Sequence, residues 1–173
     1  MENVIDTKAL NDLLQQAKSL AQRYHRLTGK PLGITGEVAE FEASRILGVE
    51  LAPARQSGFD ATEFRDGCER KLQIKGRCLQ NAHGSGGRIG SIKIDRDWTA
   101  VLLVLMDANY DAIEIWEADQ SAVLAALSVP GSKARNERGA LSVSKFRSIG
   151  RLRWERTAGL GPRDAHGSLE CDI

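Results

Sequence analysis

The sequence predicts a single α/β domain in which a helix precedes the sheet, and three observations support this. Apolar residues recur at helical spacing through residues 8–27 and again through 36–47. An Asp66-Gly67 pair separates two short strand-like runs, which is typical of a β-hairpin. The run at 101–107 is almost wholly apolar, as in a strand covered on both faces. A chain of 173 residues suits one domain, 1–173.

The N-terminal segment, 1–30, is predicted to be one amphipathic helix over residues 8–27. Asp6 or Thr7 can cap its start, because side-chain oxygens accept from the first free N–H groups. Gly29-Lys30-Pro31 ends it. We expect this helix to pack against the domain and assign it no chemistry.

A second helix is predicted over 36–47, with Thr35 as its N-cap and Gly48 at its exit. On a helical projection Glu40 lies at the margin of the apolar face, and Glu37 lies one step further out. A carboxylate at such a margin can face a cleft beside the core. Which of the two glutamates does so remains open, and both also serve as ordinary surface helix formers.

The hairpin that follows is predicted to pair strands 59–64 and 68–77. With the Asp-Gly turn at its tip, paired residues have numbers that sum to 133. Asp60 then lies opposite Gln73, and Lys75 follows on the same side. Directly opposed Cβ atoms are about 4.5–5.5 Å apart, so the side-chain oxygens of Asp60 and Gln73 could share one cation. A slip of one residue would separate them.

Oxygen ligands at that separation suit Mg²⁺, or Mn²⁺, which keeps several of its waters when protein-bound. Asp60 would supply charge and the Gln73 amide oxygen a neutral ligand. Lys75 would stand beside the ion, where its ammonium could hold an attacking water or stabilise developing negative charge.

The remaining elements complete the core, 36–127, and lead into the C-terminal part of the chain. Residues 80–91 are Gly-rich and predict a mobile loop. The other predictions are strands at 101–107, 112–117 and 151–154, and a short helix over 120–127 capped by Asp119. The tail, 160–173, is predicted to fray.

Composition excludes several classes of protein. Hydrophobic content of 42% and charged content of 27% are ordinary for a globular domain. The longest apolar run, Ala100–Met106, is far shorter than the roughly 20 residues of a membrane helix. The three cysteines do not suggest a disulfide framework or zinc site. The N-terminus lacks the pattern of a signal peptide, so we expect a cytoplasmic protein with no membrane partner.

Positive charge is concentrated near the C-terminus, although the formal net charge is only +1. Segment 131–163 is rich in arginine and lysine, including Lys133, Arg135 and Arg138. Such a cluster could neutralise nucleic-acid phosphates. A solvated arginine-rich face, or a surface that docks onto an acidic protein, explains the same charges.

The spacing of Asp60, twelve residues, and then Gln73-Ile74-Lys75 resembles the motif of the PD-(D/E)XK nuclease superfamily. In that family a helix acid precedes a hairpin that bears Asp and (Glu/Gln)-x-Lys, and Glu40 best matches the helix acid. The resemblance implies a restriction-endonuclease-like core, with a central mixed sheet flanked by helices and an extra N-terminal helix, and Mg²⁺-dependent cleavage of DNA. It also implies that Asp60, Gln73 and Glu40 bind metal and that Lys75 orients the water.

The resemblance covers residues 36–118 and has three departures. Phe59 replaces the usual proline, and Gln73 replaces the usual glutamate. The helix expected between the hairpin and the next strand is not evident, unless a short one forms over 92–98. A catalytically inactive nucleic-acid-binding module therefore remains an alternative to an active endonuclease.

The nuclease interpretation also implies two kinds of partner, DNA and a second copy of the chain. We expect DNA to be contacted by Arg77, Arg88, Lys133, Arg135 and Arg138. A homodimer would allow both strands of a duplex to be cut.

Overall fold

The computed structural model describes residues 6–53, 58–79, 87–129 and 140–156. Within these ranges the chain forms four α-helices and six β-strands. The helices are α1 (Thr7–Thr28), α2 (Thr35–Leu47), α3 (Gln120–Ser128) and α4 (Val143–Ile149). The strands are β1 (Glu50–Leu51), β2 (Ala61–Arg65), β3 (Cys68–Cys78), β4 (Ala100–Met106), β5 (Ala112–Asp119) and β6 (Arg151–Glu155).

The six strands form one mixed sheet in the order β1-β2-β3-β4-β5-β6. Only β3 and β4 are parallel, and the other neighbouring pairs are antiparallel. All seven residues of β4 are buried, because this strand lies in the middle and both of its faces are covered. The predicted α/β class and central mixed sheet are thereby confirmed.

Two apolar layers cover the sheet. On one face Ala39 and Ala43 of α2 pack with Leu72, Leu102 and further residues, and Ala21 of α1 joins the same cluster. On the other face α3, α4 and the segment before β4 pack over the odd-numbered residues of β4. The helices thus flank the sheet, as the predicted fold class required.

Of the four predicted caps of α1 and α2, three are found and one is not. Asp6 caps α1 by accepting from the N–H groups of Lys8 and Ala9 at 3.0 and 3.1 Å. Gly29 and Gly48 end α1 and α2 in the left-handed conformation, with φ of 68° and 71°. The prediction that Thr35 caps α2 is wrong. The helix begins at Thr35 itself, after Ile34, and no side chain caps it.

The hairpin has the predicted turn and register. Asp66 and Gly67 both have positive φ, 54° and 79°, and the paired residues run from Arg65–Cys68 to Ala61–Leu72. The ladder ends there, so the predicted Asp60–Gln73 pair does not form. Asp60 instead donates its N–H to the Leu72 carbonyl at 2.8 Å, and its carboxylate accepts from the N–H of Ile74.

The connection from β3 to the parallel β4 contains no helix in its described part, 87–99. The sequence left open a short helix over 92–98 or a different architecture; the short helix does not form, and residues 94–96 form a turn. The start of the connection is held by main-chain bonds to the segment before α4: Ile89 donates to Leu141, and Val143 donates to Gly87. Within 92–98, the N–H and carbonyl groups of Lys93 bond to the Gln73 side chain, so this side chain satisfies backbone groups that a helix would have satisfied internally.

A buried ion pair attaches the N-terminal helix to α2. The Lys18 ammonium lies 3.0 Å from Glu42 and 2.9 Å from Asp111, and the side chains of Lys18 and Glu42 are both buried. Arg45 also contacts Glu42, at 2.7 Å.

No helix in the described ranges is both long and apolar enough to cross a bilayer.

Candidate functional site

The candidate site lies where β2 separates from β3. Asp60 is the last residue before β2, and its Oδ2 accepts from the Ile74 N–H at 2.7 Å. This bond turns the carboxylate toward the part of β3 that β2 no longer covers. Lys75 is the next residue of β3, so it lies at the start of this uncovered edge.

Helix α2 approaches the same point because β3 carries a glycine there. A Cβ built on Gly76 would lie 2.6 Å from the Ala39 Cβ and 2.6 Å from the Thr35 carbonyl oxygen. Only glycine lets the two backbones come this close. Glu40 follows Ala39 and is half-buried at the edge of the contact.

The electrostatics place Glu40 and Asp60 in one neighbourhood. Burial raises the pKa of the Glu40 carboxyl above its ordinary value, and the negative charge of Asp60 raises it further. Glu37 adds to the effect, and Lys75 opposes it. Glu37 is exposed. Of the two glutamates left open by the sequence, Glu40 is thus the half-buried one and Glu37 the solvent-facing one.

Lys75 is held in an environment that disfavours its charge. Burial lowers the pKa of its ammonium, the charges of Asp60 and Glu40 raise it, and Lys93 lowers it. The net direction is downward. The neutral amine is therefore easier to reach than in an exposed lysine, which suits a group that accepts or shares a proton.

Gln73 faces a different partner from the one the hairpin register predicted. Its amide nitrogen donates to the Lys93 carbonyl at 2.9 Å, and its amide oxygen accepts from the Lys93 N–H at 3.1 Å. The side chain is buried. These two bonds attach the β3–β4 connection to the strand, and they engage one lone pair of the oxygen that was predicted to bind metal.

The described side chains that could hold a divalent ion are few. No group of three or more His, Cys, Asp or Glu side chains with metal-binding geometry occurs in the ranges described. Asp60 and Glu40 remain as two carboxylates whose mutual repulsion a cation would relieve. Two carboxylates with water and substrate oxygens are an ordinary set of ligands for Mg²⁺.

A cleft of about 930 Å³ lies beside β3 from Gly76 onward, although Asp60, Glu40 and Lys75 do not themselves line it. Gly90 also lines it, and a Cβ built on Gly90 would lie 3.9 Å from the Lys75 Cδ. Arg26, Arg77 and Arg88 line the cleft as well, and among the described lining residues none is acidic. Two of the predicted DNA-contacting residues, Arg77 and Arg88, are thus brought next to the candidate site.

The other predicted DNA contacts, Lys133, Arg135 and Arg138, lie outside the described residues, as do the tail 160–173 and most of the Gly-rich loop. Within the described part of the basic segment, arginines pair with acids. Arg147 lies 2.7 Å from Glu114, and Arg156 lies 2.9 Å from Asp107. These charges are therefore largely neutralised within the domain.

The largest of these ion-pair groups surrounds one buried carboxylate, Glu117. It accepts hydrogen bonds from four guanidinium groups. Two acids at its border, Glu63 and Asp119, bind members of the same group. The arginines are Arg65, Arg70, Arg151 and Arg153. Asp119 therefore contacts Arg70 and makes no side-chain cap bond to α3, contrary to the prediction.

Sequence reasoning missed two residues near the site. Lys93 fixes Gln73 and lowers the pKa of Lys75, and the alternation of Ile92, Lys93 and Ile94 was a signal for an extended segment. Arg26 was assigned to a helix without chemistry, yet it lines the cleft. Its position was not readable, because nothing local indicates which way the end of α1 points.

No protein-family model matches the chain, and no curated protein matches it.

Proposed function

We propose that this chain is a metal-dependent endonuclease that hydrolyses phosphodiester bonds in DNA, built on a restriction-endonuclease-like core. One observation carries the proposal. Where β2 leaves β3, the charge of Asp60 acts on the pKa of both Glu40 and Lys75, and the charges of Glu40 and Lys75 act on each other's pKa. Two carboxylates can hold a metal ion, and a lysine with a lowered pKa can hold or deprotonate a water, so these groups suit metal-assisted phosphodiester hydrolysis.

The order of elements supports the proposed core. Helix α2 precedes an antiparallel set of strands, β1 to β3, and β4 follows in parallel to β3. This agrees with the arrangement that the Asp60 and Gln73-x-Lys75 motif implied. The absence of a helix from residues 87–99 is a departure from it.

Asp60 and Glu40 would hold the Mg²⁺ or Mn²⁺ ion. Such an ion would lower the pKa of a bound water and offset charge on the phosphate. The raised pKa of Glu40 supports this assignment, since uncompensated repulsion from Asp60 is relieved when a cation lies between the carboxylates. The Gln73 oxygen keeps one lone pair for the same purpose, beside its bond from Lys93.

Lys75 is assigned the role of holding and activating the attacking water. Its N–H groups can hold a water oxygen, and its lowered pKa brings within reach the amine form that accepts a proton. Asp60 fixes the surroundings of this lysine, because its own carboxylate is bonded to the main chain of Ile74. We therefore expect activity to rise with pH toward the pKa of Lys75, which lies below 10.5.

The cleft is assigned the role of binding the substrate strand. Arginine guanidinium groups bind phosphate oxygens, often with two hydrogen bonds each. Among the described residues that line this cleft, three are arginines and none is acidic, so their charge suits a polyanion. Its position beside the Lys75 stem would bring a bound strand to the proposed metal.

The test is cleavage of supercoiled plasmid DNA by the purified chain, with Mg²⁺ or Mn²⁺ and with EDTA. We expect nicking or linearisation that needs the metal and that Lys75→Ala abolishes. Lys71→Ala is the matched control, because Lys71 lies on the same strand but pairs with the exposed Asp97 away from the site. Equal activity of wild type and Lys75→Ala would refute the assignment. The same assay with an RNA substrate separates the two nucleic acids.

A second candidate function is DNA binding without cleavage. It is favoured by the engagement of Gln73 with Lys93, which leaves two carboxylates for the metal. In this case DNA would bind, with affinity that falls steeply as salt rises. No metal would produce cleavage, and Lys75→Ala would leave binding intact.

A further inference from the structure

Helix α1 exposes a stripe of large apolar side chains. Leu13 is 62% exposed, Leu20 57%, Tyr24 38% and Leu27 87%. Leucine side chains exposed to this degree are usually scattered, and a contiguous apolar patch marks an interaction surface. Here the four side chains recur along one side of one helix, so the stripe requires an explanation.

The stripe has the spacing of a coiled-coil seam. Residues of a heptad seam alternate in steps of three and four, and the same alternation runs without interruption along α1. We call these six residues the leucine seam: Leu10, Leu13, Ala17, Leu20, Tyr24 and Leu27. The seam is about 26 Å long at 1.5 Å per residue.

The domain covers only the neighbouring strip of the same helix. Lys18 and Ala21 are the buried residues of α1. A helix whose apolar arc is wider than the surface it packs against has room for a second helix alongside. Within the described ranges, every residue of the seam is more exposed to solvent than Ala21, which is fully buried.

Charges beside the seam favour a second copy of the chain in antiparallel orientation. On one flank Asp12 lies near the start of the helix, and Arg23 lies near its end. Antiparallel pairing aligns Ala17 with Leu20 of the second copy. It thereby brings Asp12 level, within one turn, with Arg23 of the second copy, and two-fold symmetry repeats the pair. Small Ala17 against large Leu20 also suits close packing.

We propose that two copies of this chain associate through the leucine seams of their α1 helices, as an antiparallel two-helix contact. The inference does not rest on the proposed function. Gln22 and Arg26, which line the cleft, lie on the opposite side of the helix from the seam. Pairing would therefore leave both clefts open.

The first experiment is analytical ultracentrifugation of the full chain over a range of concentrations. We expect a monomer–dimer equilibrium with a dimer of twice 18.9 kDa. Leu20→Glu should weaken association at least about 100-fold, because one substitution removes two leucines from a symmetric contact. Leu124→Glu is the matched control, since Leu124 is a 40% exposed helical leucine outside the seam, and we expect it to leave association unchanged.

A charge exchange tests the orientation with variants that leave the apolar seam intact. Both Asp12 and Arg23 are exposed, so their substitution should not disturb folding. Asp12→Arg should weaken the dimer about tenfold at low salt, and adding Arg23→Asp should restore it. Circular dichroism verifies that each variant is folded.

Three results would overturn the proposal or part of it. A chain that stays monomeric at every concentration would assign the seam to another segment of the chain or another protein. A dimer that Leu20→Glu leaves intact would have a different interface. If Leu20→Glu dissociates the dimer but Arg23→Asp does not restore the association lost in Asp12→Arg, the antiparallel orientation is refuted.

Discussion

Replacing Glu117 by glutamine would show how much of the fold depends on one buried carboxylate. In the native chain this group holds four arginines and three acids, which are Glu63, Glu117 and Asp119. The substitution removes the charge of one of these acids and leaves the other two. Oxygens of Glu117 lie 2.9 Å from Arg65 and 2.6 Å from Arg151. Glutamine keeps the shape of the side chain but removes its charge.

The cost follows from how deeply the partners are buried. Removing one member of a buried ion pair costs about 3–5 kcal/mol, because the remaining charge is left uncompensated. Arg70 and Arg153 are each 15% exposed, whereas Arg151 is 58% exposed and stays hydrated. We therefore expect the lower end, about 3 kcal/mol. The unfolding midpoint should fall by about 6–12 °C for a chain of this size.

Urea unfolding and thermal unfolding measure this change, with Glu155→Gln as the matched control on the exposed edge of β6. Sulfate should recover part of the loss in Glu117→Gln beyond its general effect on the wild type and the control, because an anion can occupy the place between the guanidinium groups. A loss below about 1 kcal/mol, equal to that of the control, would mean that the group behaves as a solvated surface and would refute the reasoning.

Three further predictions concern the candidate site and the helix beside it. Gly76→Ala should cost about 1–3 kcal/mol in urea unfolding because of the contact with Ala39, whereas Gly36→Ala, with open space around it, should not. Glu40→Gln should raise the unfolding temperature at neutral pH, because burial and the charge of Asp60 penalise its ionised form; the gain should vanish below about pH 4.5, where the carboxyl is protonated in both states. Mg²⁺ should raise the unfolding temperature of the wild type, and Asp60→Asn should lose that shift; equal shifts would contradict metal binding there.

Local signals predicted the parts of the fold that short-range geometry controls. Asp66-Gly67 specifies a turn with positive φ at both residues, so it determined the register of the hairpin. Asp6 and Gly29 determined the ends of α1 by capping. The apolar run of β4 predicted a strand buried on both faces, and all its residues are buried.

The candidate site was predicted in part. The spacing between Asp60 and Lys75 and the helical position of Glu40 were readable, because hairpin and helix periodicities are local. The hydrogen-bond partner of Gln73 could not be predicted, because that partner, Lys93, is 20 residues away along a connection without regular structure. For the same reason the sequence did not decide between a short helix over 92–98 and a different architecture, since the main chain of the connection bonds at Gly87 and Ile89 to a segment some 50 residues further along.

The sequence by itself determined where strands and helices form and which residues share a face, because capping, turn conformation and side-chain periodicity act over a few residues. Only the tertiary structure decided which charges meet. Arg153 reaches Glu63 across 90 residues, and Lys18 reaches Asp111 across 93. Ion pairs of this kind depend on how elements distant in sequence pack together, and that packing is set by the whole core rather than by any local pattern of residues.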